Sequence, residues 1–177
     1  IWFNYSQQDK GYNRSKVFKS ELFTEVWCIL NLQRYERGFS EDHRGNVEFF
    51  NELNLSEYKR FYTVTNPKIG TVRAWHGHKN EKKLIKVLSG KFLVGVIKID
   101  DWENPDKTID PEMVEMDINS DLLSIPEGYA NGAMNLEENS KIMYFSSSTL
   151  EDSLNDDYRF DSKYWDPWTS NGGELFE

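Results

Sequence analysis

The 177-residue chain has one cysteine, Cys28, so it has neither an intrachain disulfide nor a cysteine-rich zinc site. A lone thiol fits a reducing compartment, and the cytoplasm is the expected address. Basic residues are also scarce: 21 Lys and Arg face 30 Asp and Glu, for a net charge of −9. Nucleic acids and anionic membranes draw on a broad positive surface that this chain lacks, so any phosphate it binds must meet a local basic cluster. Long apolar runs are missing. The stretches VWCIL at 26–30 and FLVGVI at 92–97 fall far short of the roughly 20 residues of a membrane-spanning helix. The opening IWFNYSQQDKGYNRSK lacks the basic-then-apolar pattern of a secretory leader, and residues 1–18 read as a terminal extension or a cloning remnant. No internal repeat and no low-complexity tract stands out.

What is present is apolar and aromatic enough, at 38% and 15%, to bury one sizeable core, and the length suits one domain over residues 19–177. The rhythm is that of β-structure. VEFF (47–50), KRFYTVTN (59–66), the 83–100 stretch, MVEMDI (113–118), DLLSIP (121–126) and KIMYFSSS (141–148) are short, rich in β-branched and aromatic residues, and bounded by Gly, Pro, Asn or Asp. Ser89-Gly90 splits two apolar runs and predicts a tight hairpin turn; residues 100–112 form a polar excursion. The final stretch mixes acids with Tyr158, Phe160, Tyr164, Trp165 and Trp168, a density of aromatics that predicts packing onto the barrel or onto a partner subunit.

Histidine occurs three times, and two of the three stand together in GTVRAWHGHKNEKKLIKVLSG; further on the chain reads SDLLSIPEGYANGAMN. These segments resemble the two halves of the metal-binding cupin signature, G-x5-H-x-H-x(3,4)-E-x6-G and G-x5-P-x-G-x2-H-x3-N. Lys83 occupies the glutamate's slot and Asn131 that of the later histidine. A protonated amine is no ligand and an amide oxygen is a poor substitute for imidazole, so the residues point away from a metal and no cofactor is expected. His76 and His78 share one face of a strand and still amount to half of a metal site.

The wider pattern resembles the sugar-nucleotide cupins, the dTDP-4-dehydrorhamnose 3,5-epimerases and the dTDP-sugar 3,4-ketoisomerases, over about residues 40–168. EDHRGNVEFFN is similar to D-x-R-G-x-F, VRAWHGH to R-G-L-H and R-G-x-H-A-H, KKLIKVLSGKF to G-K-L-V-R-V-x-x-G-x, and LSIPEGYANGAMNLEENSKIMYF to I-P-E-G-F-A-H-G followed by a strand ending in Tyr. The resemblance implies an all-β cupin, a jelly-roll barrel with a short helical or irregular C-terminal tail. It implies a homodimer in which a strand from residues 20–34 crosses to the partner. It also implies an isomerase that epimerises a nucleotide-linked 4-keto-6-deoxyhexose at C3 and/or C5 in deoxysugar and surface-polysaccharide biosynthesis. The alternatives are 3,4-ketoisomerisation and a non-catalytic sugar-binding cupin.

On that resemblance His76 is the base, Lys83 faces the enolate oxygen, Tyr144 returns the proton with its pKa lowered by a neighbouring cation, and His78 is a second proton carrier. Arg44 and Arg73 would grip the diphosphate, with Asn131 and Tyr62 also contacting substrate. Each has a plainer reading. Lys83 in EKK is ordinarily solvated, Tyr144 fits a half-buried strand aromatic, Asn131 fits a turn after Pro-x-Gly, and His43 fits a solvated loop. Arg73 lies three residues before His76, the wrong parity for one face, and requires a bulge near Ala74. The carboxylate that orients the base in epimerases is not placed by the motif; Asp161 and Asp166 are its candidates.

Overall fold

The protein is described by a computed structural model over residues 32–175. The extension at 1–18, Cys28 and most of the expected exchange strand at 20–34 lie outside the described residues. In chain order the strands are β1 (Arg34–Tyr35), β2 (Gly38–Asp42), β3 (Gly45–Phe49), β4 (Arg60–Asn66), β5 (Val72–His78), β6 (Lys83–Ser89), β7 (Lys91–Lys98), β8 (Glu112–Asp117), β9 (Leu122–Ile125), β10 (Tyr129–Asn135), β11 (Ser140–Ser146) and β12 (Tyr158–Arg159). One short helix, α1 (Leu150–Asn155), precedes β12.

Two five-stranded antiparallel sheets, ordered β1-β9-β6-β11-β4 and β12-β5-β10-β7-β8, face each other, and β2-β3 forms a separate hairpin. This is the all-β jelly-roll architecture that the sequence implies. The hairpin turn expected at Ser89-Gly90 joins β6 to β7, and Gly90 takes φ +68, a conformation that disfavours a Cβ.

The pleat sends alternate residues to opposite faces. Ile85 and Val87 of β6, Phe92, Val94 and Val96 of β7, Leu123 and Ile125 of β9, and Ile142 of β11 meet between the sheets. β7 is apolar on its other face too, because Leu93 and Ile97 join a second cluster with Trp75, Met134, Trp165 and Trp168. The C-terminal tail therefore wraps its own barrel, one of the two packings expected for its aromatics. Trp75 Nε1 donates to the Trp165 carbonyl at 3.0 Å, and Trp165 Nε1 to the Asp106 carbonyl at 2.8 Å, so these two indoles keep their polar edges satisfied, whereas Trp168 Nε1 has no partner among the described residues.

Trp168 is fully buried, and Gly132 of β10 gives it room. A Cβ at position 132 would stand 2.4 Å from Ala74 Cβ and 2.9 Å from Trp168 Cζ2. Gly132→Ala is accordingly expected to destabilise the fold by about 1–3 kcal/mol, the usual magnitude for overpacking. Urea denaturation checks it: a midpoint unchanged from wild type would show that the tail does not seat there in solution.

Candidate active site

The pleat that buries the core also carries polar side chains inward at one end of the barrel. Lys83 is in phase with Ile85 and Val87 on β6, Tyr144 with Ile142 on β11, and Tyr62 with Val64 on β4. On β5, His76 and His78 are in phase with each other, while Trp75 points outward into the tail. The pairing of β5 with β10 shifts between Asn131↔His76 and Ala133↔Arg73, so three steps on β5 match two on β10. That bulge is the irregularity expected near Ala74, and it lets Arg73 line the same cavity as the histidines. The Ala74–Trp75 peptide is cis.

The cavity has a volume of about 300 Å³ and is lined by Tyr62, Arg73, His76, His78, Lys83, Asn131 and Tyr144 among others. α1 closes over its rim with Leu150, Ser153 and Leu154. Thr149 caps this helix by accepting from Asp152 N at 3.1 Å. Past the helix, the Asp156 carboxylate accepts from the backbone of Lys79 and Asn80 at 3.0 and 2.7 Å, tying the segment to the loop after β5.

Burial sets the protonation of the site. It pulls His76 down to about 4, helped by the Arg159 and Lys83 cations and opposed by Asp157. His78 is lowered by burial and by Lys83, against Glu81. Lys83 is pulled down to about 8 by burial, with Glu81 the largest opposing influence. At neutral pH His76 is therefore a neutral imidazole and Lys83 still largely a cation. The phenols move the other way: burial pushes Tyr62 up to about 12 and Tyr144 well above the usual tyrosine value. Their rings stack, with centroids 5.3 Å apart.

Of the residues singled out in the sequence, His76, His78, Lys83, Tyr144, Tyr62, Arg73 and Asn131 come together. Arg44 does not. It sits exposed in the β2–β3 turn with its guanidinium on Asp42 at 2.5 Å, because a short turn favours the local pair. Asn131 is not a turn residue: it lies within β10, and its Nδ2 donates to the His76 carbonyl at 3.0 Å. Lys83 is buried rather than solvated. The lowered pKa expected of Tyr144 is reversed, since burial outweighs the Arg73 cation. Asp161 accepts from Lys163 N and Asp166 accepts from Trp168 N and Thr169 N, so both carboxylates serve the tail's turns.

Four participants were not singled out. Arg60 lines the cavity from β4, with its guanidinium 5.2 Å from the Tyr62 ring centre. Asp157 and Arg159 line it from the tail, with Arg159 Nε donating to both Asp157 oxygens at 2.8 Å. The fourth is Glu81, buried beside His78 and Lys83. Arg159 left no signal in the sequence, because β12, which pairs it with His76, is two residues long and offers no periodicity to read. No group of three or more His, Cys, Asp or Glu side chains suited to a metal occurs among the described residues.

The WxcM-like, C-terminal (FdtA) family model matches residues 29–166. No curated protein matches the chain. Among solved structures, a dTDP-4-dehydrorhamnose 3,5-epimerase from Bacillus anthracis with TDP and PPi bound is similar, with TM-score 0.63 and 19% identity over 78% of this chain and 85% of that one. A sugar 3,4-ketoisomerase from Thermoanaerobacterium thermosaccharolyticum in complex with TDP gives 0.59 and 16% over 81% and 98%. A 3'-monoepimerase from Streptomyces bikiniensis in complex with dTDP-quinovose gives 0.64 and 15% over 82% and 77%. At these identities the likeness establishes a shared fold.

The environment of His76 makes a direct prediction. In a ring-carbon NMR titration of the ligand-free protein, His76 should titrate near pH 4. A midpoint near the ordinary histidine value of about 6.5 would show that the cavity is wetter than described.

Proposed function

The chain belongs to the WxcM-like, C-terminal family, and from that premise we propose that it is an isomerase that epimerises a nucleotide-linked 4-keto-6-deoxyhexose at C3 and/or C5 by proton transfer. One observation carries this reading. A chain of net charge −9 gathers Arg60, Arg73, Lys83 and Arg159 around a single cavity that also holds two histidines and a buried tyrosine. The cations suit a diphosphate, and the remaining groups suit carbon acid chemistry next to a ketone.

The C4 carbonyl acidifies the protons on C3 and C5. Neutral His76 takes one; the C–H electron pair forms the enolate double bond and charge moves to O4. The Lys83 ammonium meets that charge in a water-poor site, where one preorganised donor is worth about 3–4 kcal/mol. The Tyr144 phenol, kept protonated by burial, returns a proton to the opposite face; it then regains one from solvent as His76 releases the proton it took. No step in this scheme calls on a metal: the cupin ligand slots hold Lys83 and Asn131, whose head groups are respectively a cation and an amide.

A second reading, 3,4-ketoisomerisation, is favoured by one feature: His76 and His78 are in phase on β5 and both line the cavity, so one can take the C3 proton while the other supplies C4. For the biological setting we propose deoxysugar and surface-polysaccharide biosynthesis in the cytoplasm. A homodimer is supported by exposed Phe61 on β4, an edge strand among the described residues, and sedimentation would resolve it.

The test is incubation of a dTDP-linked 4-keto-6-deoxyhexose with the protein in D2O. Deuterium should enter at C3, C5 or both, and His76→Asn should slow its entry about 10²–10⁴-fold. Migration of the carbonyl to C3, read by carbon NMR, would select ketoisomerisation. Absence of exchange with any 4-keto sugar nucleotide would overturn both.

A further inference from the structure

Behind the cavity lies a group that the scheme above does not use. Glu81 sits in the loop between β5 and β6 with its side chain fully buried, and neither carboxylate oxygen has a hydrogen-bond partner among the described residues. A buried carboxylate without partners costs several kcal/mol, so its surroundings need an explanation. Three nitrogens approach it: His78 Nδ1 at 3.6 Å, Arg60 Nη2 at 3.7 Å and Lys83 Nζ at 3.9 Å. All three residues line the cavity, whereas Glu81 does not.

His78 differs from the other two in one respect. Its Nδ1 is itself buried without a partner, so an orphaned donor site and an orphaned acceptor face each other just beyond hydrogen-bond range. Arg60, by contrast, already donates through Nε to the Ser148 carbonyl at 3.2 Å. A closure of about half an ångström would give an Nδ1–H···carboxylate bond within the usual range. His76 has no such arrangement: the carboxylate near it, Asp157, is held by Arg159.

We propose that Glu81 is a positioning residue that accepts a hydrogen bond from Nδ1–H of His78, fixing its tautomer and its ring, and so divides the roles of the two histidines. His76, with no carboxylate of its own, is the neutral base. His78, backed by Glu81, is the ring able to hold a proton and give it up from Nε2. Paired titratable groups whose environments differ in this way take opposite acid and base roles. Lys83 from β6 disfavours the charged ring of His78, whereas Glu81, a hydrogen bond to the Asp156 backbone and Asp157 from the segment after α1 favour it; Arg60 from β4 and the strand neighbour His76 line the same cavity. Glu81 is the carboxylate with an oxygen within ion-pair distance of the ring.

The catalytic half of this inference rests on the second reading above, in which both histidines carry a proton; the structural half does not. Long-range nitrogen–proton NMR of the ligand-free protein, assigned through its three histidines, reads the tautomer directly. Neutral His78 should carry its proton on Nδ1, and Glu81→Gln should lower its titration midpoint by about 1–3 units. Glu81→Asp should keep both properties in part, and it covers the case in which the glutamine variant fails to fold. In turnover, E81Q should lose about 10–100-fold in kcat with KM little changed, and E81D should recover part of the loss. A proton on Nε2 in wild type, or a His78 midpoint indifferent to E81Q, would overturn the assignment. If the NMR results hold and no 4-keto sugar nucleotide is turned over, the proposed reaction fails and the Glu81–His78 pair stands.

Discussion

The structure depends on a lysine placed where a core residue belongs. Lys83 occupies a position in phase with Ile85 and Val87, so the pleat that forms the hydrophobic interior also takes an ammonium out of water. That arrangement is tolerable only with a carboxylate close by and some discharge of the amine. Both are present: Glu81 lies 3.9 Å away, and the pKa falls to about 8. The same exclusion of water pulls His76 down and pushes Tyr62 and Tyr144 up. One physical cause, desolvation beneath α1, thus leaves a neutral imidazole, a lysine whose proton is loosened and phenols that keep theirs facing one cavity.

The site and the fold share strands. β5 turns Trp75 outward into the tail and His76 inward, and β10 sets Gly132 under Trp168 beside Asn131, whose amide holds the His76 carbonyl. The tail then returns through β12, placing Arg159 opposite His76 in register. Aromatic packing on the outer face therefore holds the histidine strand against the barrel. Chemistry and stability are coupled here through contiguous backbone rather than through a long-range path.

Much of this was legible in the sequence where the period was long enough. The β rhythm, the turn at Ser89-Gly90 and a tail that packs onto barrel or partner follow from alternation, turn chemistry and aromatic density, whereas the bulge near Ala74 was required by the role that the resemblance gives Arg73. Alternation also gives the shared face of His76 and His78. Glu81 was not legible, because N-E-K-K reads as a solvated loop and only the fold brings Arg60 from β4 against it beside His78 and Lys83. The plainer alternative for Asn131, a turn residue after Pro-x-Gly, fails because the strand starts at Tyr129. Arg44 was carried by its motif into the site, while the folded β2–β3 hairpin gives it a nearer partner in Asp42.

The central claim is that a cation at Lys83 is needed where enolate charge develops. The most direct measurement is the pH dependence of the solvent-exchange rate on a 4-keto sugar nucleotide, in the wild type and in Lys83→Arg. The wild-type rate should fall as pH rises through about 8, the value at which Lys83 loses its proton. Guanidinium stays charged to beyond pH 12, so the variant, slower overall, should show no fall in that range. An alkaline limb at the same pH in both proteins would contradict the claim.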